Sequence, residues 1–412
     1  MPQTSRAPAP ADERPLAVRI TPAAERSLRG GHPWLYGEAI TRQSQEGAAG
    51  DLAVVYDRRN RFLAVGLYDP ASPIRVRVLQ AHRPARLDAA WYRARLADAI
   101  GQRRALQKAG ITGYRLVHGE NDGLPGLILD RYDTTLVLKL YTAAWVPHLP
   151  LVREALDGLV PCTRLVLRMS RTMAASRSGL QGMKDGMILS GSPIREPVVF
   201  QEHGLRFEVD PLHGHKTGFF LDQRDNRVKT ERLCRGASVL DVFAYTGAFS
   251  AYAARGGARE VMSVDLSRQA LAATGRNMAR NRRDRRVAAA RHHVMQGDAY
   301  ATLDALRRRK LAFDVVILDP PAFASTHAQV RTALQAYGRL ARLGLGVLRP
   351  GGTLITSSCS SHVSATAFFA AVHQGARAGR RHLRELERTG HPIDHPVRFP
   401  EGAYLKCLFA TA

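Results

Sequence analysis

The second half of the chain alternates β-rich stretches with helix-forming ones. From Gly214 onward, runs rich in Val, Ile and Leu lie at 238–242, 260–264, 313–318 and 352–356, and helical segments separate them. This alternation predicts an α/β fold with a doubly wound, mainly parallel sheet, which we expect a hairpin at 399–409 to close. Ligands of such sheets bind at the carboxyl ends of the strands, so the residues that end these runs are the first candidates for a site.

The first half of the chain divides into two smaller modules. Short β-rich stretches separated by turn residues predict a small barrel, with strands at 52–56, 62–68 and 74–79. A mixed α+β pattern follows, with a helix at 88–110, strands at 127–130, 135–141 and 164–168, a helix at 149–159 and a loop at 172–191. We therefore predict a disordered tail at 1–15, a barrel domain at 16–85, a linker helix and α+β middle domain at 86–208, and a Rossmann-like domain at 209–412.

The chain is strongly basic. Its 412 residues include 60 Lys and Arg against 36 Asp and Glu, a net charge of +24. This charge makes nucleic acid the first partner to consider and an anionic membrane surface the second. The stretch 276–310 carries a net charge of +8, and it either binds RNA phosphates or forms a solvated helix face. Only seven of the basic residues are Lys, so genomic base composition is a competing explanation for the arginines.

Cysteine spacing and hydropathy narrow the class of protein further. Cys162, Cys234, Cys359 and Cys407 lie far apart with no CxxC pattern, which argues against structural zinc and against a disulfide framework. We predict no metal and a reducing, cytoplasmic compartment. No run approaches 18 apolar residues, and the polar, Pro-rich start lacks the apolar core of a secretory signal, so no membrane association is expected.

The first strand–helix turn of the sheet contains one glycine. In Asp241-Val-Phe-Ala-Tyr245-Thr246-Gly247-Ala-Phe-Ser, Gly247 allows close approach of a ligand to the backbone. Asp265 ends the second strand, where an acidic side chain can accept both ribose hydroxyls. The three-glycine dinucleotide fingerprint is missing, which counts against NAD or FAD. An ordinary turn without a ligand is the alternative interpretation.

Acidic residues also end the next two strands. Asp298 follows the third predicted strand and can meet an adenine amino group. The fourth strand delivers Asp319-Pro320-Pro321, a carboxylate in a rigid loop whose prolines lack N–H donors and leave carbonyls free. That loop suits a planar base held by its donor edge; a plain turn is the alternative.

Cys359 lies one strand further on, among five hydroxyl residues in Thr356-Ser-Ser-Cys359-Ser-Ser361. A thiolate that adds to C6 of a pyrimidine makes C5 enamine-like and able to attack an electrophilic methyl group. Burial as a small hydrophobe is the alternative for Cys359, and it is the interpretation we favour for Cys162, Cys234 and Cys407. Cys359 beside Asp319 therefore predicts a pyrimidine-modifying site.

The chain after its tail resembles a known family, the RlmI-like bacterial large-subunit (23S) ribosomal RNA cytosine-5 methyltransferases with an N-terminal PUA domain. The resemblance is carried by motifs in every module: Gly31-His-Pro-Trp34, Tyr68-Asp-Pro-Ala-Ser72, the stretches 115–126 and 214–227, Asp394-His-Pro-Val397, and Phe399-Pro-Glu-Gly-Ala-Tyr-Leu-Lys406. The most specific of these is Gly214-His-Lys216-Thr-Gly-Phe219-Phe-Leu-Asp-Gln-Arg224-Asp-Asn-Arg227.

The resemblance implies a class I methyltransferase that takes a methyl group from S-adenosylmethionine. It places Asp241, Tyr245, Thr246 and Gly247 along the methionine part of this cofactor, Asp265 at the ribose and Asp298 at the adenine. Lys216, Phe219 and Arg224 are expected to close the site. Cys359 becomes the nucleophile, Asp319 holds the cytosine through N3, and Pro320 and Pro321 position the base. No second cysteine follows the Asp-Pro pair, so the base that removes the C5 proton is unidentified.

Three alternatives remain open at this stage: an RNA guanine methyltransferase in which Cys359 is incidental, a non-catalytic RNA-binding assembly factor, and a nicotinamide-dependent oxidoreductase, which the loop glycine disfavours. Ribosomal RNA is the expected partner, with the barrel domain recognising RNA shape and the crevice taking an extruded base. The sequence leaves the target nucleotide open, and it does not decide between a monomer and a homodimer.

Overall fold

The computed structural model of the protein describes residues 15–176 and 179–412. Residues 1–14 of the predicted disordered tail lie outside the described residues.

Residues 16–81 form a six-stranded mixed sheet with one helix. Its elements are β1 (Leu16–Ile20), α1 (Pro22–Arg29), β2 (Trp34–Tyr36), β3 (Ile40–Gln43), β4 (Leu52–Tyr56), β5 (Phe62–Tyr68) and β6 (Ile74–Ala81). The strand order is β2-β6-β5-β4-β1-β3, and only the β1–β4 pair is parallel. The three strands predicted here are confirmed. Thr21 caps α1 by accepting the backbone N–H of Ala24, as an N-cap threonine should.

The middle module is built around a five-stranded sheet with the order β11-β10-β9-β8-β7. Its elements are α2 (Ala89–Gly101), α3 (Arg104–Lys108), β7 (Gly113–His118), β8 (Leu127–Tyr132), β9 (Thr135–Leu140), α4 (Leu149–Leu156), β10 (Arg164–Met169), α5 (Arg171–Ser176) and β11 (Met187–Gly191). The predicted helix over 88–110 is broken in two, because the chain turns after Gly101 and brings the buried Arg103 onto both carboxylate oxygens of Asp122.

The prediction of a loop over 172–191 is wrong at both of its ends. Ser170 Oγ accepts the backbone N–H of Met173 and starts α5. At the other end, β11 adds an antiparallel strand to β10. The stretch lacks clear periodicity because β11 is an exposed edge strand, with little apolar surface to bury.

The last module contains a seven-stranded sheet with helices on both faces. An antiparallel hairpin of β12 (Val198–Glu202) and β13 (Leu205–Val209) precedes this sheet. The elements that follow it are α6 (Arg224–Arg232), β14 (Ser238–Val242), α7 (Ala248–Arg255), β15 (Glu260–Asp265), α8 (Arg268–Arg280), α9 (Arg285–Ala289), β16 (Arg291–Gln296), α10 (Ala299–Arg308), β17 (Phe313–Leu318), α11 (Val330–Leu345), β18 (Leu348–Ser358), α12 (Ala365–Ala378), β19 (Arg384–Thr389) and β20 (Lys406–Thr411). The order β16-β15-β14-β17-β18-β20-β19 starts with five parallel strands, which confirms the doubly wound prediction.

The closing hairpin differs from its prediction. It pairs β19 with β20 rather than lying within 399–409, and β20 runs antiparallel to β18. The polar β19 (RELERT) gives no apolar run for sequence analysis to detect, since it is an edge strand.

Apolar cores connect the modules. Trp145 of the middle module belongs to the same buried cluster as Val65 and Leu67 of β5. On one face of the large sheet, α7 and α8 share a cluster with Tyr132 of β8. On the other face, α10, α11 and α12 form a separate cluster. The middle module is thus packed against both of its neighbours, and it can fix segments of the chain that pass over the sheet edge.

Candidate active site

A cavity of about 890 Å³ opens at the carboxyl ends of β14, β15 and β17, where the fold predicts a ligand. Ten of the predicted site residues line it: Lys216, Phe219, Tyr245, Thr246, Asp265, Asp298, Asp319, Pro320, Pro321 and Cys359. The other three, Arg224, Asp241 and Gly247, do not line it.

The loop between β14 and α7 has an unusual backbone. Phe243 and Tyr245 adopt positive φ angles of 65° and 49° although neither is glycine. Gly247 has φ 75°, and a Cβ at this position would lie 2.3 Å from Thr274 Cγ2. Thr274 also donates a hydrogen bond to Tyr245 O at 2.8 Å. Backbone held in such sparsely populated conformations is typical of ligand-binding loops, and here only glycine fits against α8.

Asp241 lies buried behind this loop. Ser250 Oγ donates to Asp241 Oδ2 at 2.6 Å, and burial raises the pKa of the carboxyl to about 7. Among the described residues, Asp241 Oδ1 and Thr246 Oγ1 are buried without a hydrogen-bond partner. Buried polar atoms normally find partners. Thr246 lines the cavity, so its hydroxyl fits a bound group that has its own polar atoms, as the ammonium and carboxylate of S-adenosylmethionine have.

Asp265 helps to shape the loop that it faces. Its carboxylate oxygens accept the backbone N–H groups of Tyr245 at 2.9 Å and of Ser267 at 2.8 Å. Leu266 follows with 71% of its surface exposed and also lines the cavity. An exposed leucine beside an acidic residue suits a ligand with a flat apolar ring next to a sugar. Sequence reasoning missed Leu266, although its position directly after a strand-ending acid was a usable signal.

Asp298 has a structural role that explains an aspartate at this position even without a ligand. It is the N-cap of α10, and it accepts the backbone N–H of Ala301 at 3.0 Å. Its position at the cavity also leaves it available to a bound molecule.

The carboxylate of Asp319 is held by neighbours that sequence analysis did not single out. Gln223 Nε2 donates to Asp319 Oδ1 at 2.8 Å, and Ser357 Oγ donates to the same oxygen. Burial raises the pKa of Asp319 to about 6, although both hydrogen bonds oppose that change. A carboxyl group with this pKa can exchange a proton near neutral pH.

Cys359 lines the same cavity as Asp319 and is half-buried. Burial raises the pKa of its thiol, while the Lys216 ammonium opposes that rise. The other three cysteines differ: Cys234 and Cys407 are buried as expected, whereas Cys162 is exposed and does not line the cavity.

Lys216 forms an ion pair at the cavity wall. Its Nζ lies 3.0 Å from Asp222 Oδ2, and Tyr404 donates its hydroxyl to the same oxygen at 2.9 Å. Burial alone would raise the pKa of Asp222, but the Lys216 ammonium lowers it well below its usual range. The segment that carries Lys216 is tied to the middle module, because Thr217 Oγ1 donates to Asp130 Oδ2 at 2.6 Å.

Ser360 joins the two loops that carry Cys359 and Asp319. Its Oγ accepts the backbone N–H groups of Phe323 at 3.0 Å and Ala324 at 3.3 Å. Tyr337 lies 2.9 Å from the same hydroxyl and so fixes its position from α11. The loops that carry Cys359 and Asp319 are therefore joined by hydrogen bonds.

The structure places Arg224 elsewhere than at the cavity. Its guanidinium is 1% exposed and donates to Asp394 Oδ1 at 2.8 Å, while Asp394 Oδ2 accepts the backbone N–H of Arg115 at 2.9 Å. Arg224 thus connects α6, the C-terminal segment and the middle module.

The basic stretch 276–310 lies mostly away from the cavity. Arg276, at the cavity, pairs with Glu208. The exposed Arg282, Arg283, Arg285 and Arg286 lie between α8 and β16, at the amino ends of the strands and therefore at the opposite edge of the sheet. They form no salt bridge with any residue that the structure describes.

The tryptophans differ in their surroundings. Trp145 is fully buried, and Trp91 packs against the same core. Trp34 is only half-buried, and its Nε1 donates to Glu120 Oε1 at 2.9 Å. It therefore links the first module to the second by a polar contact.

Within 15–176 and 179–412, no group of three or more His, Cys, Asp and Glu side chains is arranged to hold a metal ion. Over the same residues, no helix has both the length and the apolar character needed to cross a membrane.

Comparison with known proteins agrees with this geometry. Residues 115–410 match the family of S-adenosylmethionine-dependent methyltransferases, and residues 18–81 match the PUA-like domain. A Deinococcus radiodurans protein named ribosomal RNA large subunit methyltransferase is 47% identical over 407 residues, covering 97% of this chain and 98% of that protein. Ribosomal RNA large subunit methyltransferase I of Pseudoalteromonas translucida is 35% identical over 395 residues, covering 95% of this chain and 98% of that protein.

A solved structure has the same fold. A Streptococcus mutans protein, named as an S-adenosylmethionine-dependent methyltransferase, superimposes with a TM-score of 0.81 over 96% of this chain and 100% of that chain, at 22% identity. The family matches and the full-length relatives are decisive: the chain belongs to the PUA-like-domain-containing family of S-adenosylmethionine-dependent methyltransferases that includes the ribosomal RNA large subunit methyltransferases.

Proposed function

We propose that the protein methylates C5 of a cytosine in large-subunit ribosomal RNA through a covalent bond between Cys359 and C6 of the base. The observation that carries the proposal is the shared cavity of Cys359 and Asp319, whose loops are joined through Ser360. Large-subunit ribosomal RNA is the substrate class in the names of the full-length relatives. The base specificity rests on the chemistry of the cavity.

Asp319 is suited to hold the cytosine and to manage its N3 proton. A pKa of about 6, raised by burial, leaves part of the Asp319 population protonated near neutral pH. The protonated carboxyl donates its hydrogen to N3 of the base as the nucleophile adds. Gln223 and Ser357 keep the carboxyl oriented during this transfer. Pro320 and Pro321 make the loop rigid, which limits the positions the base can take.

Cys359 supplies the nucleophile. Its thiolate forms the Sγ–C6 bond, the C5=C6 π electrons move to form a C4=C5 bond, and the C4=N3 electrons move to N3, which takes the proton from Asp319. S-adenosylmethionine, when bound, supplies the electrophilic methyl group that C5 accepts. The C5 proton then leaves to water, which restores the C5=C6 double bond and expels the Cys359 thiolate. The N3 proton returns to Asp319, so both groups end in the states in which they began.

The residues that hold the cofactor in this proposal are those of the strand ends. Asp265 with Leu266 binds the nucleoside part, and Asp298 lies beside them. The loop 243–247, supported by Asp241 behind it, binds the methionine part. Lys216 and Phe219 close the cavity from the segment that precedes α6. Arg224 supports the same segment from outside the cavity.

The modules divide the work in the same proposal. The first, at 16–85, binds RNA as a PUA-like domain does; the second, at 86–208, holds the segment that carries Lys216; the third, at 209–412, performs the reaction. A ribosomal RNA substrate implies action in the cytoplasm. A homodimer is compatible with the proposal but not required by it, since every residue it uses belongs to one chain.

The test is to incubate the purified protein with unmodified ribosomal RNA and labelled S-adenosylmethionine, and to identify the labelled nucleoside. We expect 5-methylcytidine. Cys359→Ala should abolish labelling, while Cys162→Ser, at the exposed cysteine outside the cavity lining, should retain it. Labelled guanosine, with activity surviving in Cys359→Ala, would establish the guanine methyltransferase instead. Binding of RNA without any label would support the assembly factor.

A further inference from the structure

Lys406 is a buried lysine that the proposed reaction leaves without a role. Its side chain belongs to a residue with 3% exposure, at the start of β20. The Nζ donates to three backbone carbonyls: Val363 O at 2.6 Å, Tyr404 O at 3.0 Å, and Ser360 O. An ammonium has three donors, so this set satisfies all of them.

These acceptors tie the lysine to the loop of Cys359. In the antiparallel pairing of β18 with β20, Lys406 lies directly opposite Ser358, the residue before Cys359. Ser360 and Val363 follow the cysteine in the same loop. The lysine therefore holds the chain after the nucleophile, while the strand pairing holds the chain before it.

The charge on Lys406 has no carboxylate partner. No salt bridge involves Lys406 among the residues that the structure describes, whereas the other lysine near Cys359, Lys216, is paired with Asp222. A buried charge without an opposite charge is costly, so such groups are uncommon unless something offsets the cost. Cys359 lies between Ser358, which pairs with Lys406, and Ser360, whose carbonyl accepts from it, so its thiolate is the anion that the chemistry proposed for this cavity places beside the lysine.

We propose that Lys406 is a positioning residue for Cys359, fixing the 359–363 loop and supplying the uncompensated positive charge that favours the thiolate. The catalytic role in this inference rests on the proposed function, whereas the experiment that tests it does not. Lys406 acts through the loop and through its charge, since no hydrogen bond joins its Nζ to the Cys359 thiol in the described chain. A neighbouring lysine is a known cause of a lowered cysteine pKa.

The other charged and titratable groups around Cys359 are Lys216, Asp222, Asp319, Tyr337 and Tyr404. Burial raises the pKa of the thiol, and the carboxylates of Asp319 and Asp222 raise it further, whereas the ammonium groups of Lys216 and Lys406 lower it. Burial lowers the pKa of Lys406 to about 8, and Cys359 raises it in turn. The two groups are thus electrostatically linked in both directions.

The experiment measures alkylation of Cys359 by iodoacetamide against pH, in a Cys162→Ser background that removes the exposed thiol; the labelled residue is identified by mass spectrometry. In Lys406→Met we expect alkylation near neutral pH, where Lys406 is charged, to slow about tenfold. Lys406→Arg, which keeps the charge, should recover most of the rate. Lys229→Met, at a surface ion pair with Glu387, is the matched control and should leave the profile unchanged.

Binding of S-adenosylmethionine by calorimetry shows whether each variant is folded. A folded Lys406→Met protein with the unaltered alkylation profile would overturn the inference. If Lys406→Met does not fold, the reciprocal measurement decides: the Lys406 side chain, followed by NMR with ¹³C-labelled lysine, should titrate at lower pH in Cys359→Ser than in the original protein. Identical titration in the two proteins would also overturn it. Neither measurement uses RNA, so failure of the cytosine proposal would show separately, as the absence of 5-methylcytidine.

Discussion

Gln223 Nε2 donates a hydrogen bond to Asp319 Oδ1 at 2.8 Å and so connects the segment before α6 to the acid at the end of β17. The amide of Gln223 is itself oriented, because Asn226 Nδ2 donates to Gln223 Oε1 at 2.6 Å. This hydrogen bond favours the charged form of Asp319 and opposes the effect of burial on its pKa. The motif 214–227 thereby contacts Asp319, the acid of the proposed reaction, through a residue that is neither acidic nor basic.

The first prediction concerns the pH dependence of methyl transfer. The proposed reaction uses protonated Asp319 and ionised Cys359. Below about pH 6, Asp319 is already protonated and the thiolate fraction falls tenfold per unit, so the rate should fall. Between that pH and the raised pKa of Cys359, the two ionisations change in opposite directions, and the rate should be nearly flat. Single-turnover rates from pH 5 to 10 measure this profile.

Gln223→Ala should move the acid edge of that profile upward by about one pH unit, because the ionised Asp319 loses a hydrogen bond that stabilises it. Gln107→Ala, at an exposed position on α3, is the control and should keep the original profile. An unmoved acid edge in Gln223→Ala would mean that Asp319 does not control that limb of the curve.

Gly247→Ala should weaken S-adenosylmethionine binding and destabilise the protein. The substitution places a Cβ at φ 75° and 2.3 Å from Thr274 Cγ2, so the loop and α8 must move apart. Gly236→Ala separates the effect of the positive φ from that of the contact with Thr274, because Gly236 has φ 69° with open space around its Cβ. We expect Gly236→Ala to cost about 1 kcal/mol of unfolding free energy and Gly247→Ala distinctly more.

Chemical denaturation and calorimetry of S-adenosylmethionine binding test this pair. Only Gly247→Ala should lose affinity. Equal losses of stability in the two variants would show that the contact with Thr274 is relieved at no cost.

Strand ends and their acids could be predicted from the sequence because both leave local patterns. Asp265 and Asp319 each follow a buried run in a strand–helix alternation, and parallel strands bring such ends together whatever the details of packing. Cys359 was detectable for the same reason. Whether each of these runs forms a strand or a helix could therefore be predicted without knowledge of any tertiary contact.

The groups that tune these residues could not be predicted, because they come from distant parts of the chain. Ser357 reaches Asp319 from another strand, Tyr404 reaches Asp222 across 182 residues, and Lys406 comes from the last strand. The break of the predicted helix at Arg103 has the same origin, since its partner Asp122 lies in a later turn. Pairing across the fold, rather than local preference, decides such positions.

Arg224→Met should destabilise the protein without changing its affinity for S-adenosylmethionine. The substitution leaves the buried Asp394 without its guanidinium partner, and breaking a buried ion pair costs about 3–5 kcal/mol. The control is Arg307→Met at an exposed pair with Asp304, where a loss below about 1 kcal/mol is expected. Denaturant unfolding and calorimetry measure both quantities. Weaker cofactor binding in a folded Arg224→Met protein would return Arg224 to the cofactor site that the family resemblance implies.

The last prediction concerns the four exposed arginines between α8 and β16. Arg282, Arg283, Arg285 and Arg286 lie at the amino edge of the sheet, whereas Cys359 and Asp319 lie at the carboxyl edge. A short RNA that carries only the target loop cannot contact both edges if its base is in the cavity. Replacing all four by Ser should therefore change kcat/KM for this RNA by less than about twofold and leave the salt dependence of its binding unchanged. A lost phosphate contact would be visible, because each one would reduce the slope of log affinity against log salt by about 0.7.

The matched control replaces the same four residues by Lys, which keeps the charge and removes only the guanidinium geometry. A slope that falls by two or more units in the Ser variant, and not in the Lys variant, would put RNA on the amino edge. The basic stretch would then be a phosphate-binding surface. An unchanged slope assigns these arginines to a solvated face and leaves RNA binding to the surfaces around the cavity and the PUA-like domain.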